Sequence, residues 1–173
     1  MFSVDASLTT DCSDLELDVT DVRPATATRP PSFTLCLQNV GTVTHDVSGG
    51  GSMPLSQYSA RDAAQPRRII VYPTRNDGDP KVVPDEPTDA TWAMEEAFHD
   101  SMHAITTRLD PEAEQCVEYA ILTYRPYHDG YPPGRYVVTD EFGVDASRHD
   151  DGTPAQVTVT VTIEGGTSSE RTP

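Results

Sequence analysis

Hydrophobic and polar residues alternate most cleanly near the end of the chain. Val157, Val159, Val161 and Ile163 take every second position, with Thr158, Thr160, Thr162 and Glu164 between them. Successive side chains of a strand point to opposite faces, so this run predicts a strand with one buried face. Phe33, Leu35 and Leu37 alternate in the same way with Thr34, Cys36 and Gln38. Residues 68–72 are a short β-branched run and predict a third strand. Val117, Tyr119 and Ile121 mark a fourth within 114–124, and residues 136–139 follow as another. Weaker patterns cover 2–8 and 15–19. Ile105, Thr107 and Leu109 share one parity, and Ala104, Thr106 and Arg108 the other.

Clusters that cannot continue a central strand separate these runs. They are Arg29-Pro30-Pro31, Ser48-Gly49-Gly50-Gly51-Ser52, Asn76-Asp77-Gly78-Asp79-Pro80 and Tyr131-Pro132-Pro133-Gly134. The 15 prolines spread this way argue against a helical bundle. One stretch disagrees. Residues 93–103 are good helix formers without a breaker. They read either as a short helix crossing between sheets or as strand-edge sequence whose propensity pairing overrides. The pattern as a whole predicts an all-β fold, an immunoglobulin-like antiparallel β-sandwich of about seven strands. Residues 1–164 form its single domain, and 165–173 are a frayed polar tail.

Charge adds a habitat. The net charge is -16 over 173 residues; Lys81 is the one lysine, and Asp outnumbers Glu by 18 to 10. A surface rich in aspartate and poor in lysine suits a salt-accumulating cytoplasm, where salt screens self-repulsion. Such a surface is repelled by phosphate backbones and anionic lipid, which points away from nucleic acid and membrane as partners. The densest basic spot, Arg67-Arg68, is only two residues long. The first residues lack the charged and apolar regions of a signal peptide, and no apolar stretch approaches the ~20 residues of a membrane span. The expected location is the cytoplasm of a salt-accumulating cell, with a virus particle as the alternative. Cys12, Cys36 and Cys116 make an odd count that fits reduced thiols. One pair is open to them, but the spacing names none. Cys36 faces away from the Leu35–Leu37 side, which makes it a poor candidate for a disulfide between sheets.

Three motifs carry a family resemblance. Residues 33–41, with apolar alternation and then Asn39-Val40-Gly41, resemble a strand and turn of many immunoglobulin-like modules. Leu109-Asp110-Pro111-Glu112 resembles their Leu-x-Pro-Gly-Glu turn, with Glu112 where glycine is usual. Pro132-Pro133-Gly134-Arg135-Tyr136 resembles their Pro-Gly-x-Tyr entry to the penultimate strand. Together, over about residues 30–164, they resemble the intracellular proteinase inhibitor (BsuPI-like) domain in a haloarchaeal form. The resemblance implies a non-enzymatic module, in some members an inhibitor of a serine proteinase. Antibody-type marks are absent: Trp92 lies far beyond Cys36, and no tyrosine stands two positions before Cys116.

The chemically loudest motif is His99-Asp100-Ser101-Met102-His103. On a helix, His99 and His103 would share a face and could grip a metal, though Asp replaces the zincin Glu and a third ligand would have to come from His45, His128, His149 or a distant carboxylate. Two histidines in a polar connector are the plainer interpretation. Tyr124, Tyr127 and Tyr131 fall close together with Arg125 and His128 among them. Tyrosine and arginine are the side chains that anchor interfaces, and the end loops of a sandwich are where such modules bind. Tyr119 and Tyr136 read as core. Asp77 and Asp79 fall short of a calcium loop, and Ser48–Ser52 lacks the lysine of a phosphate loop.

The sequence therefore predicts no enzyme and no cofactor. Its first reading is a protein-binding module of a halophile, inhibitor-like, with Arg125, Tyr127, His128 and Tyr131 as the contact residues. The second is a structural component of a virion or surface assembly that packs on copies of itself. The third is a metal-dependent hydrolase built on His99 and His103.

Overall fold

The structure is a computed structural model that describes residues 1–64, 67–75, 81–97, 104–127, 130–146 and 152–165. Among these residues it is all-β and antiparallel, with ten strands in place of about seven and no helix. In chain order they are β1 Phe2–Thr10, β2 Leu15–Arg23, β3 Ser32–Asn39, β4 His45–Gly49 and β5 Ser59–Asp62. There follow β6 Arg68–Pro73, β7 Ile105–Leu109, β8 Glu114–Thr123, β9 Gly134–Val144 and β10 Thr153–Ile163.

The strands form two layers joined through β9. One layer runs β7-β4-β9-β10-β1, the other β5-β6-β8-β3-β2. The start of β9 pairs β5 (Asp62 with Tyr136) and its end pairs β4 (Val47 with Val144). At the far side β1 and β2 lie close without pairing, so the sandwich is nearly closed. Both layers turn their alternating apolar residues inward. Phe33, Leu35 and Leu37 of β3 meet Tyr119 and Ile121 of β8 and the valines of β10 in the main core. Each such side chain, removed from water, stabilises by roughly 1.5–3 kcal/mol.

The outer face of β6 and β8 carries a second, smaller core. Ile70, Tyr72, Ala120 and Leu122 are covered there by Tyr58, Val82 and Trp92. This explains why residues 69–73 are apolar without alternation: they are buried on both sides. It also decides between the two interpretations of 93–103 as far as residue 97. Met94 N donates to Thr123 O, and Thr123 N to Trp92 O, so the chain runs beside the end of β8 instead of coiling. Burying Trp92 on the sheet requires that extended path, and helix propensity yields to it. Residues 98–103 lie outside the described residues.

Two turns follow the motifs read from the sequence. Asn39 is fully buried. Its side-chain amide donates to Val43 O and Leu109 O, and its Oδ1 accepts from Gly41 N. Residues 110–113 close with Ala113 N donating to Asp110 O, with Pro111 second and Glu112 third at φ 66°. That is a turn whose third position favours glycine. Tyr136, near the start of β9, donates its hydroxyl to Pro132 O four residues upstream. This is the geometry of a tyrosine corner.

The reduced-thiol expectation is corrected. Cys36 and Cys116 are register partners on neighbouring strands and form a disulfide. They lie on the face away from the main core, in keeping with parity, which made Cys36 a poor candidate for a bridge between the layers. Cys12 is the free thiol. The loop closed by the bridge spans 80 residues. Such a constraint on the unfolded chain is worth roughly 2–4 kcal/mol.

Candidate functional site

Arginine gathers at one end of the sandwich. In the β5–β6 hairpin Arg61 stands opposite Arg68, and Asp62 N closes the turn onto Arg67 O. Beside it β8 ends at Thr123, paired with Ile69, so Tyr124 and Arg125 emerge next to Arg68. The Arg68 guanidinium lies 3.7 Å over the Tyr124 ring, and that of Arg125 lies 5.9 Å from it. Such stacking holds the cations in place while their N–H edges stay open to a ligand.

These residues surround a pocket of about 620 Å³. Arg61, Arg67, Arg68 and Arg125 line it together with Tyr124 and Tyr127, and Asp62 is its one acidic member. Asp62 Oδ1 already accepts from Ala64 N. Among the described residues, none of the four guanidinium groups has a carboxylate within ion-pair reach. A chain with 28 acidic residues thus collects four of its 11 arginines at one place, where Asp62 is the one acid among the described lining residues. Like charges held together repel, an arrangement that costs stability unless a ligand relieves it.

Arg125 and Tyr127, expected as contact residues, both line this pocket. Tyr131 does not line this pocket. It is half-buried, donates its hydroxyl to Ile121 O at 2.8 Å, and meets the Phe2 ring edge-on. Burial pushes its phenol far above the ordinary tyrosine range. It packs against both cores and offers only a margin to a second hollow of about 370 Å³ beside Arg67 and Tyr127. His128, His99 and His103 lie outside the described residues, as do Asp77 and Asp79. Tyr119 is core as expected, its hydroxyl donating to Leu55 O and accepting from Leu55 N. Sequence reasoning missed Arg61, Arg67 and Arg68 as members of the site, because only pairing of β5, β6 and β8 brings them to Arg125.

The opposite end holds a polar cluster of another kind. His45 is almost buried between two carboxylates. Its Nδ1 donates to Asp145 Oδ2 at 2.7 Å, and Asp14 Oδ2 lies 3.2 Å from Nε2, with Cys12 Sγ at 3.9 Å. The hydrogen bond to Asp145, reinforced by Asp14 against the effect of burial, raises the imidazole above its ordinary value. Burial works to raise the Asp145 carboxyl, yet the bond from His45 keeps it below the usual range. The cluster ties the β1–β2 turn, β4 and the end of β9 together. Among the described residues, Cys36, Glu114 and Cys116 have metal-like spacing, but the two sulfurs are bonded to each other. No helix of the described residues is long and apolar enough to cross a membrane.

Compared with known proteins, the chain matches no family model, no curated protein and no solved structure.

Proposed function

We propose that this protein is a non-catalytic module of a salt-adapted source that binds an acidic surface of a protein partner through the arginine–tyrosine pocket. The observation that carries this reading is the convergence of four guanidinium groups, none with a carboxylate partner among the described residues, in a chain of net charge -16. Arg61, Arg67, Arg68 and Arg125 are the contacts for carboxylates, and Tyr127 is the flat anchor beside them. Planar guanidinium forks match carboxylates two bonds at a time. In molar salt, attraction over distance is screened within about 3 Å, so recognition must rest on such contact geometry. The resemblance to the inhibitor domain adds a proteinase as one candidate partner.

The test is titration of the protein, in molar KCl, with a fluorescent glutamate-rich peptide. The intact pocket binds it, and Arg67→Glu with Arg125→Glu weakens binding by about tenfold or more. Tyr127→Ala weakens it less. Tyr131→Ala is not a clean probe, since that ring supports both cores. No binding, or binding that ignores both charge reversals, sinks the reading.

A second reading, a component of a virion or surface assembly, is favoured by the disulfide. Such bonds persist in oxidising surroundings and are rare in a reducing cytoplasm. Nothing among the described residues favours a hydrolase on His99 and His103.

A further inference from the structure

The register of the strands gives the molecule two chemically opposite ends. Strand β8 runs from Glu114 at one end to Thr123 at the other, a distance of roughly 30 Å. The arginine pocket sits at the Thr123 end, because Ile69 pairs with Thr123 and Asp62 with Tyr136. At the Glu114 end lie the β1–β2 turn, the start of β4 and the close of β9, fixed by the pairs Leu15–Asn39, His45–Leu109 and Val144–Thr153. Exposed there are Asp11, Asp46, Asp110, Glu112, Glu114 and Asp145. Among the described residues that end has two groups of positive charge, Arg108, which Asp110 holds at 3.2 Å, and the imidazole of His45, which Asp14 and Asp145 hold between them.

Resting on the reading of the pocket given above, we propose that its occupant is the acidic end of a second copy of this chain, so that copies join head to tail along the strand direction. Charge complementarity identifies the occupant. The molecule carries its own match for a pocket where, among the described residues, four arginines face one aspartate, and it carries it at the end pointing the other way. The two patches differ, so the contact is heterologous. It leaves one free patch of each kind on every dimer and continues into a filament, or into a ring if the rotation closes.

The net charge sets an unusual salt dependence. Two copies each at -16 repel as whole bodies in dilute buffer, and that long-range term is the first to vanish as salt rises. Arginine–carboxylate contacts sheltered between two faces are screened much less. Association therefore strengthens from dilute buffer to molar salt, opposite to the behaviour of a simple surface ion pair.

Sedimentation velocity of the full chain, over a range of concentrations in dilute buffer and in molar KCl, tests this. The expected result is a mass that grows with concentration in molar KCl and much less in dilute buffer. Arg67→Glu with Arg125→Glu, or Asp11→Lys with Asp46→Lys, each weakens self-association by about tenfold or more. An equal mixture of the two variants associates again, since the intact pocket of one copy takes the intact acidic end of the other and the two reversed patches are themselves opposite in charge. Three results overturn the inference: a monomer under all conditions, growth indifferent to the reversals, or a mixture that stays monomeric while the unaltered chain assembles. A monomer that still captures the glutamate-rich peptide means that another protein fills the pocket, and the proposed function survives. A monomer that captures no peptide removes both.

Discussion

The two ends of this sandwich use polar groups in opposite ways. At the acidic end they are tied to one another. His45 bridges Asp14 and Asp145, and buried Asn39 joins the turn after β3 to the turn before β8. At the arginine end four guanidinium groups face a hollow, two of them over the Tyr124 ring, with no carboxylate partner among the described residues. Both ends are loops closing the same sheets, so the fold alone does not require the difference. Polar groups that satisfy each other hold structure, whereas groups held together unsatisfied are poised for something outside the molecule.

Substitutions can break that contrast, beginning where the effect is largest. Asn39→Ala strips partners from Val43 O and Leu109 O and empties a fully buried site. It should lower the unfolding free energy by roughly 2–4 kcal/mol in urea titration. A loss under about 0.5 kcal/mol would mean that the acidic end is not held this way.

The next effect is a pH dependence. His45 has a raised pKa in the folded state, so the folded state favours its charged form. The stability it supplies is complete below its unfolded value, 6.5, and fades as pH rises through the raised folded value. Thermal unfolding of the unaltered chain should therefore lose stability on crossing that range upward, and His45→Gln should flatten the profile. The Asp145 partner, with its lowered pKa, adds the opposite edge: its share is present above 3.8 and is lost as pH falls through its folded value.

Glu112→Gly should act in the other direction. The residue adopts φ 66°, a conformation that costs a side chain but not glycine. We expect a gain of about 0.5–1 kcal/mol, less what glycine returns to the unfolded chain, read as a higher urea midpoint. The smallest effect sharpens the comparison. Arg67→Ala and Arg125→Ala should change stability by no more than about 0.5 kcal/mol, in either direction, while weakening peptide binding. A large destabilisation by either would make the arginine end structural as well.

What could be read from the sequence followed from local pattern. Strands β3 and β10 announce themselves by alternation, and Pro133-Gly134 with Tyr136 marks the entry to β9. The Asn39 and Glu112 turns were visible as motifs, and Asn39 and Glu112 turn out to be the residues on which the geometry depends. Strands β4 and β5 were not legible. His45-Asp46-Val47-Ser48-Gly49 and Ser59-Ala60-Arg61-Asp62 are short and polar, and they become strands only by pairing with β7, β9 and β6. Parity placed Cys36 on the outer face but could not name Cys116, because register across neighbouring strands is a long-range property. The same limit hid the pocket. Arg125 and Tyr127 belong to one loop, whereas Arg61 and Arg68 arrive from a hairpin far away in sequence. Tyr131 shows what sequence does not reveal about a loop tyrosine: its hydroxyl is tied to Ile121 O and its ring supports both cores.

The pairing of β1 with β10 has a practical consequence for handling the chain. Phe2 lies opposite Ile163, and the Met1 amino group is 3.4 Å from Glu164 O. Residues 1 and 164 thus meet at the pocket's end, where Phe2 also touches Tyr131. A purification tag fused directly before Met1 would emerge beside the arginines, and a negatively charged one could pass for their ligand.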